Sequence, residues 1–219
     1  VLHSGGNAID AMVTAQLVLG LVEPESSGLG GGAFLVYYEK KTKKLTTLDG
    51  RETAPLEVKP DHFLDKKGNP LTFFEVVVGG KSVGVPGTPA LLEKAHQKWG
   101  KKKWEELFKD AIQLAEKGFP VSQKLSSSIK KNRKSLKKYK TTQNYFLPLG
   151  KGLEYGNIKT NVNYANTLKL FSKYSFVIVH FTFLRLALFR HARNTSLILR
   201  ENQACLVHHF SRIPLLRCT

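Results

Sequence analysis

The residue types that could do chemistry gather in one stretch, "SSGLGGGAFLVYYEKKTKKLTTLDGRETAP", residues 26–55. It opens on a glycine and serine turn from Ser26 to Gly32, broken only by Leu29. It closes on a single arginine, Arg51, with Asp49 and Glu52 close by. Glycines ahead of an apolar run suggest a phosphate cradle, and Gly28, Gly30 and Ala33 formally meet the dinucleotide spacing G-x-G-x-x-[GA]. That motif works because a strand delivers the chain to a tight turn and a helix N-terminus then faces the pyrophosphate. The order in this chain is helix, glycines, strand, and no Gly-Lys-[Ser/Thr] of a P-loop occurs. Nucleotide binding is therefore excluded, and the glycines predict a turn with positive φ and close backbone packing. Arg51 offers a planar, permanently charged fork that suits a carboxylate. An arginine after a strand is also commonly a surface ion pair, with Glu52 or Asp49 as its partner.

The elements that must hold these residues can be read on either side. "SGGNAIDAMVTAQLVLGLVEP" predicts a buried helix, with Ile9, Met12, Val13, Gln16, Leu17 and Leu21 on one stripe, Asn7 as N-cap and Pro24 as the stop. "AFLVYYE" then reads as a strand, "KKTKK" as an exposed turn and "LTTLDGRE" as the hairpin partner. Residues 54–80 read as loop with a short helix near "PDHFLD", and "SVGVPG" as a short strand and turn. Thr88 is placed as the cap of a helix with Pro89 at its first position, running to Gly100. A further helix carries Trp104, Leu107, Phe108, Ala111, Ile112 and Ala115 on one face and ends at Gly118.

The chain has 219 residues, enough for one sizeable core, and an ordinary share of hydrophobic (42%) and charged (23%) residues. The formal net charge of +17 is not ordinary and points to nucleic acid, an acidic membrane surface or a missing acidic portion. Much of it lies in "KLSSSIKKNRKSLKKYK", Lys124 to Lys140, whose Leu125, Ile129, Leu136 and Tyr139 suit a thin amphipathic helix with a solvated basic face. Cys205 and Cys218 define no disulfide framework, and His208 and His209 beside Cys205 do not make a metal site, so no metal and no cofactor is expected. No run reaches the length of a membrane helix; "FVIVHFTFLRLALF", residues 176–189, is interrupted by His180 and Arg185 and reads as strand-like or aggregation-prone. Residue 1 is Val and helical pattern follows at once, so any targeting segment is expected to be missing rather than absent. Lysine is abundant up to Lys173 and absent afterwards, and Glu201 is the only later acid. This break near Ser175 is the composition of translated intron or shifted frame, and residues 175–219 are expected to be an unrelated, non-native or disordered tail.

Taken in order, "GGNAIDAMVTAQLVLGLVEPESSGLGGGAFLVYYEKKTKKLTTLDGRETAP", "SVGVPGTPALLEKAHQKWG", "WEELFKDAIQLAEKGFPVS" and "NVNYANTLKLFSKYS" resemble the large subunit of a γ-glutamyltranspeptidase, also called glutathione hydrolase, over residues 1–174. The resemblance implies a mixed α/β (α+β) fold, the N-terminal nucleophile hydrolase αββα sandwich, of which this chain holds only the large-subunit part. It implies that Arg51, the arginine of the "DGRETAP"-type motif, holds the α-carboxylate of a γ-glutamyl substrate. The glycine turn then becomes packing that admits the next strand to the central sheet. It implies a nucleophilic threonine at the start of the small subunit, attacking the γ-glutamyl carbonyl with its own amine as base. Thr182, Thr195 and Thr219 sit in unrelated surroundings, so no catalytic residue is assigned in this chain, and the chain alone is expected to be inactive. The implied partners are glutathione, other γ-glutamyl compounds and the small subunit of the same precursor, without nucleic acid. The implied location is the extracellular face of the plasma membrane, or secreted. The competing reading is a basic non-catalytic module that binds nucleic acid or an anionic surface through Lys124–Lys140.

Overall fold

The computed structural model describes residues 1–174. The tail expected from residue 175 onward, with Thr182, Thr195, Thr219 and the two cysteines, lies outside the described residues. The first helix, α1 (Ala8–Val22), begins where the sequence places it. Asn7 Oδ1 accepts from the backbone N–H of Ile9 (3.0 Å) and Asp10 (3.1 Å), while the Asp10 carboxylate accepts from the Asn7 N–H (2.8 Å). This reciprocal box satisfies donors that a helix start would otherwise leave open. Its buried stripe is Ile9, Val13, Leu17 and Leu21. Gln16 lies beside the stripe and donates to Ser27 Oγ (2.8 Å), which ties the helix to the turn that follows.

The antiparallel hairpin comprises β1 (Ala33–Glu39) and β2 (Lys44–Gly50), in register from Ala33 opposite Gly50 to Glu39 opposite Lys44. Strand alternation turns Leu35 and Tyr37 toward the helices, with Tyr37 against Trp99 at 4.5 Å between ring centroids. Phe34, Val36 and Tyr38 face away and are exposed. The second strand stops one residue before Arg51, so the arginine stands just past the end of the hairpin.

Three expectations shift between residues 54 and 100. No helix forms at "PDHFLD", because the Asp65 carboxylate captures the N–H groups of Lys67 (2.8 Å) and Asn69 (2.9 Å) in a local turn that competes with helix. The short helix is α2 (Phe73–Val77), opened by Thr72, whose N–H and hydroxyl both donate to Glu75 Oε2. "SVGVPG" makes no strand of its own; Val85 alone pairs, with Thr53. Helix α3 (Thr88–Trp99) is capped by Gly87 rather than Thr88, and Pro89 is its second residue. The reason is tertiary: the Gly31 carbonyl accepts from both the Gly87 and Thr88 N–H groups (3.1 Å each), so no hydroxyl cap is needed.

The predicted helix from Trp104 divides into a 3₁₀ turn, Trp104–Phe108, and α4 (Lys109–Lys117), ended by Gly118 at φ 101°. A two-residue strand β3 (Phe119–Pro120) pairs with β4 (Ile158–Lys159). The basic segment is not one amphipathic helix. It breaks into α5 (Gln123–Lys131) and α6 (Arg133–Leu136), with α7 (Lys140–Phe146) beyond. Only Leu125 and Ile129 of its apolar residues are buried, too few to hold a long helix down. Last comes α8 (Val162–Lys173), capped by Asn161, whose Oδ1 accepts from the Tyr164 N–H (3.0 Å).

Two cores result. One joins α1, β1, α3, the 3₁₀ turn and α8 around Val13, Leu17, Leu35, Leu92, Phe108 and Leu168. The other joins the end of α1 to α4, α5 and the 147–153 loop around Leu21, Phe119, Val121 and Leu147. Trp104 Nε1 donates to the Phe171 carbonyl (2.9 Å) and the Tyr164 hydroxyl to the Leu17 carbonyl (2.8 Å), locking α8 onto the first core. The described part is thus a helical layer under one hairpin, which are the α and β layers of a sandwich.

Candidate functional site

Arg51 is held by its backbone and left open at its side chain. Its N–H donates to Asp49 Oδ1 (2.8 Å), and two residues on, Thr53 and Val85 exchange backbone hydrogen bonds (2.8 and 3.4 Å). The segment is therefore pinned on both sides. The guanidinium is 70% exposed, and its Nε lies 3.3 Å from Glu52 Oε2. Among the described residues Glu52 is its one ion-pair partner. Nε is steadied by a carboxylate from the same chain. Both acids named from the sequence take part, Glu52 at the side chain and Asp49 at the backbone.

Glu52 is seated by glycines. A Cβ on Gly32 would strike the Glu52 carboxylate, would lie 2.7 Å from the Glu52 backbone nitrogen and would lie 2.8 Å from the Gly50 carbonyl oxygen. A Cβ on Gly84 would lie 2.9 Å from the Glu52 Cβ. At Gly87 it would collide with the Gly50 carbonyl, directly before Arg51. None of the glycines from Gly28 to Gly32 adopts positive φ. The expectation of left-handed backbone in this turn is therefore corrected: the glycines are needed for close approach. The turn, the end of β2 and the residues before α3 converge on the Arg51–Glu52 pair. No helix follows the turn in sequence, yet the fold brings the α3 N-terminus to the Gly31 carbonyl, a contact that sequence order conceals.

Asp10 escaped notice in the sequence. It is fully buried, and besides capping α1 it accepts from the N–H groups of Lys101 (3.0 Å) and Lys102 (3.3 Å). Burial pushes its carboxyl upward, but the backbone donors of Asn7, Lys101 and Lys102, with nearby His96, outweigh it and hold the group below the usual carboxylate range. His96 Nε2 lies 2.8 Å from the Lys102 carbonyl, which fixes it as the donor there, and 3.9 Å from Asp10 Oδ1. A carboxylate so fully partnered organises the loop after α3 and is not free for proton transfer. The Asn-x-x-Asp spacing of a capping box is the signal in the sequence that could have found it. Between α1, α3, the 3₁₀ turn and α8 lies a small gap lined by Leu17, Leu29, Pro89, Leu92, Trp104, Phe108 and Phe171. Its apolar lining could not orient a charged substrate.

In the basic segment, Lys124 is tied to the end of α1 through Glu23 (3.1 Å) and Glu25 (3.8 Å). Among the described residues no group of three or more His, Cys, Asp or Glu side chains converges, and no helix is long and apolar enough to cross a membrane.

Helices stacked on a hairpin match solved N-terminal nucleophile hydrolases. The structure of γ-glutamyltranspeptidase from Helicobacter pylori superposes with a TM-score of 0.74 at 35% identity, covering 79% of this chain and 49% of that one. The enzyme from Pseudomonas nitroreducens gives 0.72 at 32% identity, covering 80% and 50%. The γ-glutamyltranspeptidase family profile matches residues 1–179, and the chain belongs to that family. A curated relative, the glutathione hydrolase proenzyme of Bacillus subtilis strain 168, is 44% identical over 170 residues, 78% of this chain. This chain spans only 29% of that relative's length.

Proposed function

We propose that this chain supplies the carboxylate anchor of a γ-glutamyltransferase and glutathione hydrolase, an enzyme that cleaves the γ-glutamyl bond and passes the acyl group to water or an amino acid. The observation that carries the reading is Arg51: a fork steadied at Nε, largely exposed and backed by a glycine-packed turn. An α-amino acid carboxylate fits that fork, and such a carboxylate is the part common to glutathione and other γ-glutamyl compounds. The small subunit of the same precursor would bring the threonine nucleophile and complete the sheet. A role at the extracellular face of the plasma membrane, or as a secreted enzyme, belongs to the same proposal.

The test is a chimera in which residues 1–174 replace the corresponding part of the Bacillus subtilis relative. It should release the chromogenic amine from a γ-glutamyl anilide, and Arg51→Ala within it should remove most of that activity. A folded chimera that is inactive, or one indifferent to Arg51→Ala, would refute the assignment.

A further inference from the structure

From Lys117 to Leu153 the chain carries nine lysines and Arg133 without a single aspartate or glutamate, so the charge there cannot be neutralised locally. Lys124 is engaged by Glu23 and Glu25, and Lys138 lies near Glu75. Lys130, Lys131, Lys134 and Lys137 are all exposed at the α5–α6 turn, and none has an ion-pair partner among the described residues.

Beside them stands a leucine with no packing role. Leu149 is fully exposed, and its backbone is left-handed at φ 53°, ψ 27°, a region costly to a residue with a branched side chain. The loop that presents it is fastened to the same turn. Arg133 Nη2 donates to the Gly150 carbonyl, and a Cβ on Gly152 would lie 3.3 Å from Ile129 of α5. The fold thus holds one apolar side chain out into water on a loop fastened to the turn that carries the four lysines.

We propose that Lys130, Lys131, Lys134, Lys137 and Leu149 form a docking surface for an anionic phospholipid bilayer. Lysine ammoniums on flexible stems suit a diffuse layer of headgroup charge, because they need no fixed geometry. The leucine enters the boundary between headgroups and acyl chains, where an exposed apolar side chain leaves water. A nucleic acid would be better met by stacking aromatics. The only aromatic between Lys124 and Lys140 is Tyr139, whose hydroxyl is aimed at the Val78 carbonyl (3.5 Å). A soluble polyanion of any kind would have no use for Leu149.

The test is sedimentation of the full 219-residue chain with vesicles of phosphatidylcholine alone or with about one-third phosphatidylserine. Binding should require phosphatidylserine and weaken as salt rises. Replacing the four lysines by glutamine should weaken it on the order of a thousandfold, whereas replacing them by arginine should preserve it. Leu149→Ser should cost roughly threefold to tenfold, with the salt dependence unchanged. Leu149→Trp should give a blue-shifted emission on adding the anionic vesicles and none with neutral ones. All these positions are exposed, so the variants should melt with the parent. Undiminished binding in the lysine-to-glutamine variant would place the contact elsewhere and overturn the proposal. So would indifference to Leu149→Ser with no Leu149→Trp shift, or tighter binding to an RNA oligonucleotide or heparin than to the vesicles.

Discussion

Arg51 sets two readings against each other, and their magnitudes separate them. As a surface ion pair with Glu52, a guanidinium this exposed would contribute well under about 1 kcal/mol, and its loss would leave kinetics untouched. As the anchor of a substrate carboxylate, it makes charged hydrogen bonds worth about 1.5–3 kcal/mol. In the active chimera, Arg51→Lys keeps the charge and loses the two-pronged alignment, so kcat/KM should fall roughly tenfold to a hundredfold. Arg51→Ala should fall further, since the carboxylate is then left without a cation, while both variants melt within a few degrees of the parent. Steady-state kinetics beside melting temperatures decide the matter, and a normal kcat/KM in Arg51→Ala would refute the anchor. Asp10 presents the opposite case, a charge that serves the fold. Asp10→Ala strips the acceptor from buried N–H groups and should cost about 2–4 kcal/mol. Because its folded-state pKa is lowered, the charge stabilises the fold fully above the ordinary carboxylate pKa of about 4 and is lost as pH falls through the lower folded value. Asp10→Asn has no proton to take up, so its melting temperature should fall less steeply than the parent's over that acid window. Parallel acid limbs for the two proteins would count against this account.

Elements that announce themselves locally were legible, and those settled by distant contacts were not. The Asn7 cap, stripe and stop of α1 lie within its own sequence, as do the alternation and turn of the β1–β2 hairpin. The start of α3 was misplaced by one residue because its acceptor is the Gly31 carbonyl, far away in sequence. The basic stretch looked like one helix because charge pattern does not reveal that only Leu125 and Ile129 find a core. Arg51 stands out by its type and neighbours, and of the two demands expected of the glycines, close packing is present and positive φ is not. Their φ values are ordinary, and what demands them is the passage of Glu52 and Gly50 beneath the turn. Gly32→Ala should therefore destabilise the protein by about 1–3 kcal/mol through overpacking. The atoms in its way include backbone, which cannot rotate aside, so the Arg51–Glu52 segment must shift. The expected signature is a lowered melting temperature together with a raised KM for the γ-glutamyl substrate. An alanine there that leaves both unchanged would show that the turn has slack.

At the scale of the molecule, the described residues amount to a helical layer and one hairpin, with Arg51 just past its end. The hairpin buries one face on α3 and leaves Phe34, Val36 and Tyr38 exposed on the other, so only one side of the sheet is covered. Family membership fits that geometry, since the relatives are far longer than this chain. Binding a carboxylate and breaking an amide are separable tasks, and the second requires an activated nucleophile near a stabilised oxyanion. Among the described residues, the buried Asp10 is committed to backbone donors and His96 to the Lys102 carbonyl, so neither is poised as a general base beside Arg51. Purified residues 1–219 should accordingly release no amine from a γ-glutamyl anilide above a matched blank. Adding free hydroxylamine as an alternative acceptor should not change that, because no acyl-enzyme forms for it to intercept. Turnover that copurifies with the chain and disappears in Arg51→Ala would mean that a nucleophile resides within these 219 residues, and the division between anchor and chemistry would have to be abandoned.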